Sequence, residues 1–160
     1  MFLHPKTSFK NPRFLICLLL PLAVGGLSSL LTYKSMEMYG QLRQPLLAPP
    51  GWVFPVAWTI LYLLMGFGCW LILDRPPKER RVALTLYAVQ LLLNFCWPLL
   101  FFNEQQFLPA FLLLLALLLV VILMTAAFWR LRKLAGWLQI PYCLWLAFAL
   151  YLNWSIFLLN

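Results

Sequence analysis

Acidic residues are scarce in this chain: four Asp plus Glu stand against twelve Lys plus Arg, and charged residues of either sign make up only 10% of 160 positions. An ordinary soluble domain carries about a quarter. With 64% of residues hydrophobic and a mean hydropathy of +0.89, there is more apolar surface than one small globule can hide, which excludes a water-soluble fold. Histidine is almost missing as well. The single one, His4, lies in the N-terminal tail beside Pro5, so no His-based triad, multi-histidine metal centre or buried imidazole relay can be assembled. The four cysteines, Cys17, Cys69, Cys96 and Cys143, sit singly in apolar runs without the spacing of a zinc or redox motif. They read as small buried hydrophobes.

What the chain has instead is long uncharged apolar runs. A bilayer core of about 30 Å requires roughly 20 apolar residues in helical form, and five stretches qualify: 14–33, 53–73, 82–102, 108–129 and 137–159. The first follows basic residues as a signal peptide would, but it is longer than a usual signal-peptide core and ends without a small-x-small cleavage site, so it is read as a helix. The expectation is an all-α integral membrane protein, a single domain over 1–160 built as a five-helix transmembrane bundle. Five spans place the termini on opposite faces. Lys6, Lys10, Arg13, Arg75, Lys78, Arg80, Arg81, Arg130, Arg132 and Lys133 then share one side, against Lys34 and Arg43 on the other. The positive-inside rule makes the N-terminus cytoplasmic and the C-terminus external. The net charge of +8 is thus mainly an orientation signal rather than a nucleic-acid footprint.

Three of the connections are short. The fourth, 34–52, is long and holds Pro45, Pro49, Pro50 and Gly51, a composition that suits a lid over a binding site and equally a connector lying on headgroups. Within the spans there is no ionisable Asp, Glu, Lys, Arg or His to serve a proton or ion pathway. Amides and aromatic rings are the informative residues. Gln90, Asn94, Trp97 and Phe101 fall on one helical face of the third span, Trp58, Tyr62 and Met65 on one face of the second, and Tyr142, Trp145, Ala149 and Asn153 on one face of the fifth. Amides can simply glue helices together and indoles anchor at the interface. Three stripes that combine large rings with hydrogen-bonding groups favour a pocket for a flat, aromatic, partly polar ligand.

Three motifs carry a resemblance. The stretch 49–62, PPGWVFPVAWTILY, followed by Met65 and Gly66, the third-span run Leu93-Asn94-Phe95-Cys96-Trp97 with Phe101 and Phe102, and the fifth-span run 140–149, IPYCLWLAFA, with Leu152 and Asn153, together resemble the TspO/MBR family, the tryptophan-rich sensory proteins related to the mitochondrial translocator protein. The resemblance implies a five-helix bundle, often a homodimer, with a pocket under the first loop that accepts porphyrins and synthetic aromatic ligands. It puts Trp58 and Trp145 at the pocket tryptophans implicated in some bacterial members in light- and oxygen-dependent breakdown of bound protoporphyrin. Trp97 matches a further wall tryptophan, Asn94 the third-helix amide, Tyr62 a second-helix aromatic, and Ala149 and Leu152 the small and apolar wall of the fifth helix. Tyr142 joins this set from its stripe.

There are departures too. The cholesterol-recognition stretch of animal members needs a Tyr followed closely by a base; here Trp154 and Leu158 stand in those places and no Lys or Arg follows Lys133, so sterol transport is not supported. Leu47 replaces a loop tryptophan, and Pro109 an aromatic residue of animal members. The function expected is a membrane-embedded sensor or regulator binding a protoporphyrin-type tetrapyrrole, with turnover limited to slow photo-oxidation, since no acid, base or metal constellation lies in the spans. No cofactor or metal is required; the porphyrin is the ligand. The alternatives are a facilitated carrier of porphyrin or lipid-like molecules, and a membrane interaction partner with a vestigial pocket. Gly66, Gly68, Ala147 and Ala149 offer close helix approach for a dimer. The resemblance to bacterial members implies a bacterial cell membrane.

Overall fold

The computed structural model describes residues 12–160; His4, Lys6 and Lys10 lie outside the described residues. Five long helices carry the fold: α1 (Pro12–Thr32), α2 (Val53–Ile72), α3 (Pro77–Pro98), α4 (Phe107–Leu131) and α5 (Ile140–Leu159). Each belongs to a segment long and apolar enough to cross a membrane. A helix satisfies most of its backbone groups internally, as a lipid environment demands, with interruptions here at Pro21 in α1 and Pro98 in α3. The protein is an all-α integral membrane bundle. Leu15, Ile16, Leu19, Leu27 and Leu30 on α1, and Leu112, Leu119 and Leu123 on α4, point outward, a costly exposure in water and the expected one against acyl chains.

The helix ends differ from the sequence expectation in four places. The third span starts at Pro77 rather than at position 82, because a proline in the first turn is preset for a helix and the charged run 78–81 is helix-compatible at a membrane edge. It also ends early as an α-helix. Pro98 has no N–H to continue the ladder, and residues Leu99–Asn103 form a π-helical turn, closed by Glu104 N–H donating to Leu99 O at 3.1 Å. Loop 34–52 is partly helical: α1 is prolonged by a 3₁₀ turn, Tyr33–Ser35, and a short helix, Met36–Tyr39. The fifth span begins with a separate five-residue helix, Lys133–Trp137.

Around the bundle α1 packs on α2 and α3, α3 on α4, and α4 on α5; ring contacts between Trp58 and both Tyr142 and Trp145 link α2 to α5. One end is closed tightly. A Cβ added at Gly66 would strike the Cys17 carbonyl oxygen and lie 2.8 Å from Leu18 Cα, and one added at Gly68 would collide with the Gln139 amide. These two glycines are therefore spent on packing within the chain, so the close approach they offer is to α1 and to Gln139. Ala149 is buried in the bundle as well, leaving Ala147 exposed.

The same end collects the basic loops. The Arg80 guanidinium donates to the carbonyls of Leu73 and Arg75, and Arg132 Nη1 donates to Leu71 O at 3.3 Å. Both arginines thus satisfy carbonyls at the C-terminus of α2, where the helix dipole favours a cation. They have a capping role besides any part in orientation, while Arg75, Lys78, Arg81, Arg130 and Lys133 remain exposed.

Candidate functional site

The opposite end of the bundle is hollow. A cavity of about 990 Å³ lies between α1, α2, α3 with its π-turn, and α5, under the loop 40–51. That is the upper end of the range for small-molecule sites. Three features of the local sequence open it. On α1 the run 25–29, GGLSS, puts small residues where the rest of the helix has leucine; a Cβ at Gly26 would meet nothing within 4 Å. On α3, Pro98 and the π-turn bring Phe101 and Phe102 to the wall, the kind of irregularity that recurs at binding sites. On α2, Phe54, Pro55, Trp58, Thr59 and Tyr62 line it along one helical face.

The roof is stiffened from within. Ala48 N–H donates to Pro45 O at 3.0 Å, Val53 N–H to Pro50 O at 2.9 Å, and Gln44 Nε2 to Tyr39 O at 2.6 Å. Tyr39 packs edge-on against Phe54 and Phe102. Gln44, Pro45, Ala48 and Pro49 face the cavity, and this stretch forms its roof.

The polar residues of the three stripes bond mainly to one another. Tyr62 OH donates to Asn94 Oδ1 at 2.9 Å, Asn94 Nδ2 to Tyr142 OH at 2.8 Å, and Tyr142 OH to Gln90 Oε1 at 2.9 Å. Gln90 Nε2 closes the series on Met65 Sδ at 3.9 Å. Nearer the roof, Trp97 Nε1 donates to Asn153 Oδ1 at 3.0 Å and Asn153 Nδ2 to Phe107 O at 2.8 Å. Buried amides in hydrocarbon must be paired, and this arrangement ties α2, α3 and α5 together through their side chains. Ser28, Thr32 and Thr59 likewise donate to helix carbonyls. Among the described residues no Lys, Arg, Asp or Glu lines the cavity. It therefore presents mainly rings and aliphatic carbon, with a few neutral hydroxyl and amide groups such as those of Ser29 and Gln44.

Of the sequence-selected residues, Trp58, Tyr62, Asn94, Trp97, Ala149 and Leu152 lie on the cavity wall. Tyr142 and Trp145 do not. Tyr142 is fully buried, because its hydroxyl is needed between Asn94 and Gln90. Trp145 stands behind Trp58 at a ring separation of 6.4 Å and against Phe54 at 6.1 Å, and its buried Nε1 has no partner. Both support the wall rather than form it. Sequence reading missed α1 altogether as a wall element, although the glycine and serine run in a leucine-rich span was a visible signal. It also missed Gln139, fully buried and reaching Leu64 O at 3.4 Å; a lone amide before Pro141 gave no sign of that contact.

Comparison with known proteins agrees with this architecture. The chain is 38% identical over 148 residues to the tryptophan-rich protein TspO of Chlorobaculum tepidum, covering 91% of this chain and 94% of the relative. It is 42% identical over 127 residues to the translocator protein of Ovis aries, covering 77% and 75%, and 34% identical over 127 residues to the tryptophan-rich sensory protein of Cereibacter sphaeroides, covering 79% of each. Residues 17–159 match the TspO/MBR family as a whole, and the chain belongs to that family.

Proposed function

We propose that this protein is a membrane sensor or regulator whose ligand is a protoporphyrin-type tetrapyrrole held in the cavity under the 40–51 loop. The observation that carries the reading is the cavity itself: about 990 Å³, walled by Trp58, Trp97, Phe54 and Phe101 and roofed by a stiff loop. A flat macrocycle gains apolar burial and ring stacking there. Since the wall holds no cation, the ligand's carboxylates sit at the mouth, in contact with water, while the ring lies among the aromatic residues of α2 and α3. The sensory name of the Cereibacter sphaeroides relative is in keeping with a binding role. The excess of basic residues at the end away from the cavity supports a cytoplasmic N-terminus, and the bacterial relatives support a bacterial cell membrane. The cavity then opens toward the outer face.

A dark absorbance titration of the detergent-purified protein with protoporphyrin tests this. Wild type is expected to saturate at one site with a shift of the visible bands, and Ala149→Phe, which puts a ring into the wall, to weaken binding roughly tenfold or more, about 1.4 kcal/mol, with the melting temperature read alongside to separate loss of the site from loss of the fold. Absence of saturable binding by wild type overturns the reading. Repetition under illumination in air adds a second measurement: bleaching of the ligand by wild type but not by Trp58→Phe would make that indole an electron donor to the excited ring.

A further inference from the structure

Asn160, the C-cap of α5, reaches back to the roof. Asn160 Oδ1 accepts from Arg43 N–H at 2.9 Å and Asn160 Nδ2 donates to Arg43 O at 3.2 Å, so one side-chain amide pairs with both polar groups of a single residue, as a neighbouring β-strand would. The second Nδ2 hydrogen goes to Ile156 O at 3.0 Å, and the backbone N–H of Asn160 to the same carbonyl at 3.1 Å. Every donor of that amide is used and the side chain is fixed in place. Elsewhere the roof's hydrogen bonds stay local, to Glu37, Met38, Tyr39, Pro45 and Pro50. The Arg43–Asn160 pair is thus the one hydrogen-bonded tie, among the described residues, between the middle of the roof and the rest of the bundle. It lies next to Gln44 and Pro45, which face the cavity, and one turn beyond Ile156, which lines it from α5.

We propose that Asn160 is a positioning residue that latches the roof down over the cavity, and that release of its paired hydrogen bonds to Arg43 sets the rate at which the roof lifts and widens the cavity's mouth. The loop's own turns keep it rigid, so it moves as a flap between Tyr39 and Trp52 once the latch is undone. Two exposed hydrogen bonds of ordinary strength make the effect one of rate: their loss raises the frequency of opening by about three- to thirtyfold. The proposal rests on the functional reading only in taking the cavity as the ligand site, and its test does not require any ligand.

The experiment uses the full chain in detergent with its four native cysteines replaced by alanine, carrying Ala149→Cys as a reporter on the cavity wall, with and without Asn160→Ala. Two quantities are read: backbone hydrogen exchange in residues 40–47, and the rate of modification of the cavity thiol by a charged, water-soluble methanethiosulfonate. Both are expected to rise about three- to thirtyfold in Asn160→Ala. Arg43→Ala, which keeps the backbone groups that Asn160 binds, is expected to leave both as they were. Unchanged exchange in Asn160→Ala would show that the roof is held without the latch, and raised exchange with unchanged thiol modification would show that the roof does not control access; either overturns the proposal. So does an Arg43→Ala variant as fast as Asn160→Ala, since the side-chain charge would then be the tie. Should protoporphyrin fail to bind wild type, the functional reading falls while these rates still decide the latch.

Discussion

The seam between α1 and α2 is two different structures at its two ends. Toward the basic loops, Gly66 brings the α2 backbone onto the α1 backbone at Cys17 and Leu18, and Met65, Cys69, Leu71 and Ile72 are buried around it. Toward the roof the helices hold apart. Gly25 leaves room only for the Tyr62 ring, Gly26 faces open space, and the gap belongs to the cavity. Glycine thus serves opposite ends within one seam: contact in one place and vacancy in the other. Lipid tails are as apolar as the helices, so close packing of small residues supplies the cohesion at the tight end, and it leaves the hollow end free of the duty of holding the bundle.

That difference can be broken with one substitution at each end. Gly66→Val puts a branched side chain into backbone atoms that cannot rotate away, and should destabilise the protein by about 3 kcal/mol or more, read as a large fall in melting temperature in detergent or loss of folded protein. Gly26→Val meets nothing and should change stability by no more than about 0.5 kcal/mol, with its effect on ligand affinity instead. Equal losses at the two positions would mean that the seam is uniformly packed and the hollow end is structural.

A smaller effect separates the two tyrosines of the buried series. Tyr142→Phe strands Asn94 Nδ2 and Gln90 Oε1 together, and Gln90 has no access to solvent, so the cost is about 1–3 kcal/mol. Tyr62→Phe removes one donor from Asn94 Oδ1 next to the cavity, where water can replace it; about 0.6 kcal/mol, the mean for such bonds in membranes, is expected. Denaturant unfolding of both variants measures the ratio. A Tyr62→Phe loss as large as that of Tyr142→Phe would show that the Asn94 end of the series is dry.

These contrasts also explain which parts were legible in the sequence. Uncharged length revealed the five spans, because a helix in lipid must be long and apolar whatever it touches. Helical periodicity placed Trp58 and Tyr62, and Asn94 and Trp97, on common faces, and the structure brings both pairs to the cavity wall. Periodicity cannot say which member of a stripe stands at the surface of a hollow and which stands behind it. Tyr142 and Trp145 share the α5 face with Ala149 and Asn153, yet hydrogen bonding draws the first inward and Trp58 covers the second. The break after Pro98 was concealed by its apolar surroundings, and the glycines were ambiguous because the same small residue permits contact with another chain or with the next helix.

The finest distinction concerns the two tryptophans that sequence reasoning treated as equals. Trp58 lies on the wall, stacked on Tyr62 at 5.5 Å; Trp145 meets its edge from behind. Trp58→Phe removes ring surface and an indole that the ligand touches, and should weaken protoporphyrin binding about five- to tenfold, near the value of one lost aromatic stacking contact. Trp145→Phe removes a buried N–H without a partner, which offsets its lost packing, and should alter affinity less than about twofold. A dark titration of the two single variants decides between a fixed wall and a mobile one. Should Trp145→Phe weaken binding as much as Trp58→Phe, the indole of Trp145 must turn past Phe54 into the cavity when the ligand arrives, and its unpaired N–H would then be a donor held in reserve for that ligand rather than a cost of packing.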